Sequence, residues 1–190
     1  MNRIAQLDPI QATGKTKQLF ERLQMKFGFV PNLFSILAVS PAALEGYLTF
    51  GEALAGGSLN FKIREQIALV VAECNLCSYC LNLHSLIAAE VGLTEKEITN
   101  ARHSNATTEK TDAILKLARS IVVQRGEVND ADLERTRACG VSDRDIVETV
   151  ANIALNIFTN YVNLIARTVV DFPEGNSGDD EAPVGIVQHD

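Results

Sequence analysis

No stretch of this 190-residue chain approaches the roughly 20 consecutive apolar residues that a membrane-crossing helix needs, so a membrane-embedded role is set aside. The opening "MNRIAQLDPIQATGK" also lacks the unbroken apolar segment of a secretory signal, and the expected compartment is the cytoplasm. Positive charge is in deficit: 17 Lys and Arg against 24 Asp and Glu leave a net charge of −7, with the basic residues scattered among acidic ones. A polyanion finds no continuous cationic track on such a surface, which excludes nucleic acid as a partner. Alternation of apolar and polar residues bounded by turns, the mark of a strand, is missing too. Cysteine is sparse, at four. In a reducing compartment four cysteines do not form a structural disulfide framework, and a close-spaced group there serves catalysis or metal binding.

What is present is a helical text. Hydrophobic residues make up 46% and charged residues 22%, enough to fold one compact domain, expected over residues 1–173. Leu19, Phe20, Leu23 and Phe27 fall on one helical face, and a new helix begins after Pro31. Ser40 followed by Pro41 reads as an N-cap and first-turn proline, and Gly56 and Gly57 close that helix. The next runs from about Asn60 into the cysteine segment and on to Gly92, a C-terminal cap. Thr94 and Glu97 have capping-box spacing; a long helix then ends at Gly126, a short one covers "DADLERTRAC", and another long one runs from Ser142 through "RTVV". The fold class is therefore all-α, a multi-helix bundle. Residues 174–190, rich in Gly, Pro and acid, are expected to be a flexible tail.

A faint internal echo accompanies this pattern. Laying Glu65 on Glu148 aligns Ala68 with Ala151 and Leu81 with Leu164, and sets Asn160 and Asn163 against Cys77 and Cys80. Two degenerate helical repeats would produce this match, and so would helical periodicity alone. Phe29, Phe34, Tyr47 and Phe50 have the spacing of core or subunit-interface residues, as do Phe158 and Tyr161. If the echo is a true duplication, Tyr161 comes near the site.

The chemistry concentrates in "ECNLCSYCLNLH", which carries Cys74, Cys77, Cys80 and His84. Three thiols and an imidazole match the ligand count of a closed zinc site, but on one helix Cys74 and His84 would lie about 15 Å apart along the axis, too far to share an ion. A ferredoxin-type run needs a fourth cysteine followed by proline where this chain has His84 and Ser85. No metal or other cofactor is expected. A redox pair asks only that two cysteines meet, and residues three apart sit on neighbouring helical turns, within disulfide reach. Cys77, Cys80 and His84 share one helical face, with His84 four residues after Cys80. That proximity favours Cys80 as the base-activated thiolate, whereas the helix macrodipole favours Cys77, and the order stays open at this level. Cys74, Cys139, His103 and His189 read as packing or surface residues.

"EQIALVVAECNLCSYCLNLH" resembles the signature of the carboxymuconolactone decarboxylase-like superfamily, specifically its alkyl hydroperoxidase D-like and peroxidase-related branch. There a glutamate precedes the first cysteine by twelve residues and C-x2-C-x3-H follows; Glu65, Cys77, Cys80 and His84 match all four positions. The resemblance extends over residues 20–173 through "FVPNLFSILAVSPAALEGYLTFGEALAG" and "NIFTNYVNLIARTVVDFP". It implies an all-helical homo-oligomer that reduces hydroperoxides without haem or metal, drawing electrons from a dithiol donor that the sequence does not identify. By the same resemblance Cys80 attacks the peroxide, Cys77 resolves, and Glu65 with His84 relays protons. Straight helix would hold Glu65 about 18 Å from Cys77, so the chain is expected to break and turn back near Cys74 to Leu76. The best-known branch has a second histidine directly before the second cysteine; Tyr79 stands there, an accessory candidate that can hydrogen-bond but is no base at neutral pH. Two other readings use the same residues: a disulfide reductase or redox sensor, and a non-catalytic helical interaction protein with a vestigial dithiol.

Overall fold

The computed structural model describes residues 3–172, so the boundary at 173, the acidic tail and His189 lie outside the described residues. Among those described there are nine α-helices and no strand. The helices are α1 (Gly14–Phe27), α2 (Asn32–Leu37), α3 (Pro41–Ala55), α4 (Phe61–Cys74), α5 (Ser78–Glu90), α6 (Glu95–Arg102), α7 (Glu109–Val123), α8 (Asp130–Ala138) and α9 (Asp143–Ala166), preceded by a single 3-10 turn at Pro9–Gln11. The all-α expectation holds, and no helix among the described residues is long and apolar enough to cross a membrane.

Local side-chain chemistry sets most helix starts. The Ser40 hydroxyl accepts from the Ala43 amide ahead of Pro41, Asn60 caps α4 through the Ile63 amide, and Thr94 and Ser142 each close a reciprocal capping box, with Glu97 and Asp145. Two ends fall earlier than the periodicity suggests. α7 stops at Val123, where Gln124 and a left-handed Arg125 precede Gly126, and α9 stops at Ala166 because Arg167 turns left-handed at φ 53°.

α4 organises the molecule. Its residues 65–72 are all buried, the condition of a helix enclosed on every side, and α5, α6, α7 and α9 enclose it. One side of the core joins α1, α2, α3 and α5 around Leu19, Phe20, Leu23, Phe34 and Leu44, and it includes Cys77 and Cys80. The other joins α4, α6, α7 and α9 around Ile67, Leu69, Ile114 and Leu115, each fully buried and worth about 1.5–3 kcal/mol of apolar transfer. The cysteines therefore lie where the two halves meet, under α9.

The echoed stretches fold differently. The segment of α4 and α5 is broken between Cys74 and Ser78, whereas α9 continues unbroken for 24 residues, about 36 Å at 1.5 Å per residue. Glu148, the counterpart of Glu65, also does other work: its Oε2 accepts from the Ser58 and Leu59 amides at 2.6 and 3.1 Å, tying the α3–α4 loop to α9.

Candidate active site

The site begins with how α4 ends. Asn75 caps the helix and Leu76 takes the left-handed conformation at φ 54°, so that its amide donates to Glu73 O at 3.1 Å and the Cys77 amide reaches back to Ala72 O at 3.0 Å. This pair of bonds is a Schellman closure, normally built on glycine. α5 ends in the same closure with Gly92 in the left-handed position. Leucine at this position carries a backbone penalty of about 1–2 kcal/mol, and its side chain, 79% exposed, returns little packing. Cys77 is at once the residue beyond that closure and the N-cap of α5. The expected break is present, and the chain doubles back.

That reversal brings His84 Nδ1 to 2.7 Å from Glu65 Oε2, a pairing of side chains that are both largely buried. Cys80 lies one turn before His84 and Cys77 at the N-cap of the same helix, 2% and 1% exposed, with their sulfurs 2.8 Å apart as free thiols. A disulfide bond is about 2.05 Å long, so a small closing movement joins them. His84 makes no hydrogen bond to either sulfur, but it is near enough to Cys77 to help draw that thiol down.

The shared proton splits the two thiols. Cys77 is drawn below the usual thiol range, first by the hydrogen bond with Cys80, against the cost of burial, with His84 and the Asn163 amide assisting. Cys80 is pushed far above it, first by the same bond, then by burial and the charge on Cys77, while Asn163 and Asn160 pull it down. As a unit the pair releases one proton early and holds the second. By distance and angle Cys77 donates toward Cys80, whereas the titration preference leaves the proton on Cys80. The retained proton can thus sit on either of two sulfurs that lie 2.8 Å apart, and the charge sits on whichever sulfur lacks it.

Tyr79 is turned away from the sulfurs. Its hydroxyl donates to Asp171 Oδ1 at 2.9 Å and accepts from the Leu33 amide at 3.3 Å, while Asp171 Oδ2 accepts from the Asn32 amide at 2.6 Å. Its ring packs edge-on against Phe172. Burial, then the Asp171 charge, push its phenol up, so it stays protonated as the latch between α5, α2 and the segment after α9. The accessory candidate of the motif thus has its hydroxyl engaged in this latch.

Residues beyond the motif complete the site. Asn163 Nδ2 on α9 lies 3.2 Å from Cys80 Sγ, and Asn75 Nδ2 donates to Asn160 Oδ1 at 3.0 Å. The echo had set both asparagines against the cysteines, and that alignment was the only sequence signal for them. Tyr47 packs against Phe34 and Phe158, with ring centroids 6.0 and 6.3 Å away, and its phenol is raised by burial and then by the negative charge of Glu65 and Cys80. It belongs both to the core and to the border of the site, at the floor of an apolar groove of about 320 Å³ between α3 and α9. Tyr161 is exposed on the outer face of α9. Cys74 points to Arg119 Nη1 at 3.8 Å, Cys139 to Glu109 at 3.8 Å, and His103 caps α6 at the surface. Among the described residues no three His, Cys, Asp or Glu side chains gather as metal ligands.

The segment that holds the four motif residues also decides the relationship. Residues 41–124 match the model of the carboxymuconolactone decarboxylase family. Over that stretch the chain is similar to the family. The matched stretch runs from the start of α3 to the cap of α7 and contains Glu65, Cys77, Cys80 and His84. Solved structures extend the likeness over the chain. An uncharacterised peroxidase-related protein with an alkylhydroperoxidase AhpD core from Ralstonia eutropha JMP134 superposes with a TM-score of 0.81 at 24% identity, covering 90% of this chain and 92% of that one. A peroxidase-related protein from Silicibacter sp. TM1040 gives 0.75 at 24% identity, covering 88% and 92%. The debrominase Bmp8 gives 0.76 at 17% identity, covering 89% and 92%, and a cysteine-to-alanine variant of it is known in complex with 2,3,4-tribromopyrrole. At these identities the likeness is one of fold: the alkylhydroperoxidase D-like fold. No protein of curated function matches the chain by sequence.

Proposed function

We propose that Cys77 and Cys80 form the redox centre of a thiol-dependent hydroperoxide reductase. The observation that carries this reading is the geometry of two buried free thiols, 2.8 Å apart, beside a buried His84–Glu65 pair at 2.7 Å. With the retained proton on Cys77, the Cys80 thiolate attacks the outer oxygen of R–O–O–H. The O–O bond breaks, Cys80 becomes a sulfenic acid, and the departing alkoxide leaves as an alcohol, taking its proton from the His84–Glu65 pair. Cys77 then attacks the Cys80 sulfur, an S–S bond forms, and the hydroxyl leaves as water. The peroxide has gained two electrons and the cysteine pair has lost two. An external dithiol returns them by exchange through the disulfide. No cofactor enters the cycle. We place this work in the cytoplasm, in a homo-oligomer whose contact surface includes the exposed apolar stripe of Val147, Val150, Phe158, Tyr161 and Ile165 on α9.

The test is stoichiometric. One equivalent of hydroperoxide added to the reduced protein, free of reductant, is expected to disappear with formation of one Cys77–Cys80 disulfide mapped by mass spectrometry. Cys80→Ser should abolish peroxide loss, and Cys77→Ser should trap the sulfenic acid on Cys80. Slow, scattered oxidation that ignores both substitutions overturns the reading in favour of a reductase, a sensor or a vestigial dithiol.

A second reading is favoured by the apolar groove floored by Tyr47 and by the likeness in fold to a debrominase. The same thiolate can attack bromine on an electron-rich ring, the carbon taking the electron pair and then a proton; Cys77 releases bromide as the disulfide closes. Presenting the reduced protein with cumene hydroperoxide and with a bromopyrrole in parallel separates the two by which one yields the disulfide.

A further inference from the structure

Four asparagines line the buried side of α9, and they divide into two kinds. Asn152 Nδ2 donates to Glu148 O at 2.7 Å, and Asn156 Nδ2 donates to Asn152 O at 2.9 Å, each spending its amide on the preceding turn of its own helix. Asn160 and Asn163 do not. Asn163 Nδ2 points across to Cys80 Sγ at 3.2 Å, and its Oδ1 is buried with no partner. Asn160 is fully buried; Asn75 Nδ2 holds its Oδ1 at 3.0 Å, which fixes the amide so that Nδ2 is left unpartnered. Asn160 sits one turn before Asn163 on the same buried side of α9, and its amide, like that of Asn163, favours the ionised form of Cys80. Buried amide atoms without partners are rare in folded proteins, and a pair of them around one sulfur calls for a reason.

We propose that Asn160 and Asn163 form an amide cradle for negative charge on Cys80, and that their two unpartnered atoms present one donor and one acceptor to the incoming hydroperoxide. The first part rests on the 3.2 Å contact of Asn163 with Cys80 and on the burial of Asn160 with its Nδ2 unpartnered; the second rests on the peroxidase reading given above. A thiolate accepts hydrogen bonds but donates none, so the Asn163 N–H at 3.2 Å, with the Asn160 amide in support, favours the state with the proton on Cys77 and the charge on Cys80. The same donors serve the returning half of the cycle, when Cys80 leaves as a thiolate during reduction of the disulfide. The unpartnered pair then matches the substrate: R–O–O–H has one O–H, which Asn163 Oδ1 can accept, and oxygen lone pairs, to which Asn160 Nδ2 can donate. Dialkyl peroxides lack that O–H and leave Asn163 Oδ1 bare. Asn75 is a positioning residue in this arrangement, and it stands directly beside the left-handed turn that separates the two helices.

The test titrates the thiols, so that its outcome does not depend on peroxide turnover. In full-length protein with Cys74 and Cys139 changed to Ser, iodoacetamide alkylation is followed against pH. Asn163→Leu, close in size but without the donor, is expected to raise the first apparent pKa of the pair by about one unit, giving about tenfold less thiolate at pH values below that pKa. Asn160→Leu should act in the same direction and Asn152→Leu should leave the profile alone. Because Leu can also disturb packing, Asn163→Asp serves as the second variant: it keeps the size, adds a like charge and should raise the pKa further. An alkylation profile unchanged in folded Asn163→Leu and Asn163→Asp overturns the cradle even if wild type consumes peroxide. A shifted profile in a protein whose wild type consumes no peroxide supports the cradle and overturns the peroxidase reading. In an active protein, with rates corrected for the thiolate fraction, cumene hydroperoxide should lose about a further tenfold in kcat/KM on Asn163→Leu, while a dialkyl peroxide should lose nothing further; equal corrected losses for both overturn the recognition of the hydroperoxide O–H.

Discussion

Replacing Tyr79 by Phe separates structure from chemistry in this motif. The hydroxyl makes one charge-assisted bond to the Asp171 carboxylate and receives one from the buried Leu33 amide. Bonds of the first kind contribute about 1.5–3 kcal/mol and of the second about 1 kcal/mol; allowing for the hydroxyl that no longer needs desolvation, the net loss should be about 2–3 kcal/mol. For a chain of this length that lowers Tm by about 5–10 °C. The loss should also depend on pH. Burial raises the Asp171 carboxyl above its ordinary value, and Tyr79 opposes that shift by donating to the ionised form. Without the hydroxyl the folded-state pKa rises further, so the destabilisation is full above that pKa and shrinks as pH falls through it. Urea unfolding of wild type and Tyr79→Phe at pH 7 and at about pH 4 measures both terms. Peroxide consumption at 25 °C should stay within about twofold, since the hydroxyl faces away from the sulfurs. A tenfold loss of rate with unchanged stability would refute this assignment and give Tyr79 the accessory role at the site.

Glu65→Gln keeps the shape beside His84 but removes the charge that holds the imidazole, and initial rates under saturating dithiol should fall about 100-fold while the fold survives, in line with the contribution of a positioned proton donor. Leu76→Gly should stabilise the protein by about 0.5–1 kcal/mol, because relief of the left-handed backbone outweighs the added freedom of the unfolded chain; a lower urea midpoint would contradict this.

The parts legible in the sequence were those fixed by near neighbours. Ser40 with Pro41, Thr94 with Glu97 and Ser142 announced helix starts because a cap is made within three or four residues. Gly92 announced the end of α5, whereas Leu76, which performs the same turn at the end of α4, carries no such mark, and the break was inferable only from the need to bring Glu65 back to the motif. Cys77, Cys80 and His84 were found through their spacing on one face. Long-range partners were hidden. Tyr79 meets Asp171 across 92 residues and Cys80 meets Asn163 across 83, and helical periodicity describes neither encounter. Tyr47 had the spacing of a core residue and packs partly buried against the core; periodicity could not say that its phenol also feels the charges of Glu65 and Cys80.

The 83 residues between Cys80 and Asn163 have a kinetic consequence for the newborn protein. At synthesis rates of about 5–20 residues per second, roughly 4–17 s separate the emergence of the reactive sulfur from that of the helix that covers it. During that interval the pair is exposed on an unfinished core, open to oxidants and to any passing thiol, and only the arrival of α9 turns an indiscriminate dithiol into a sheltered one.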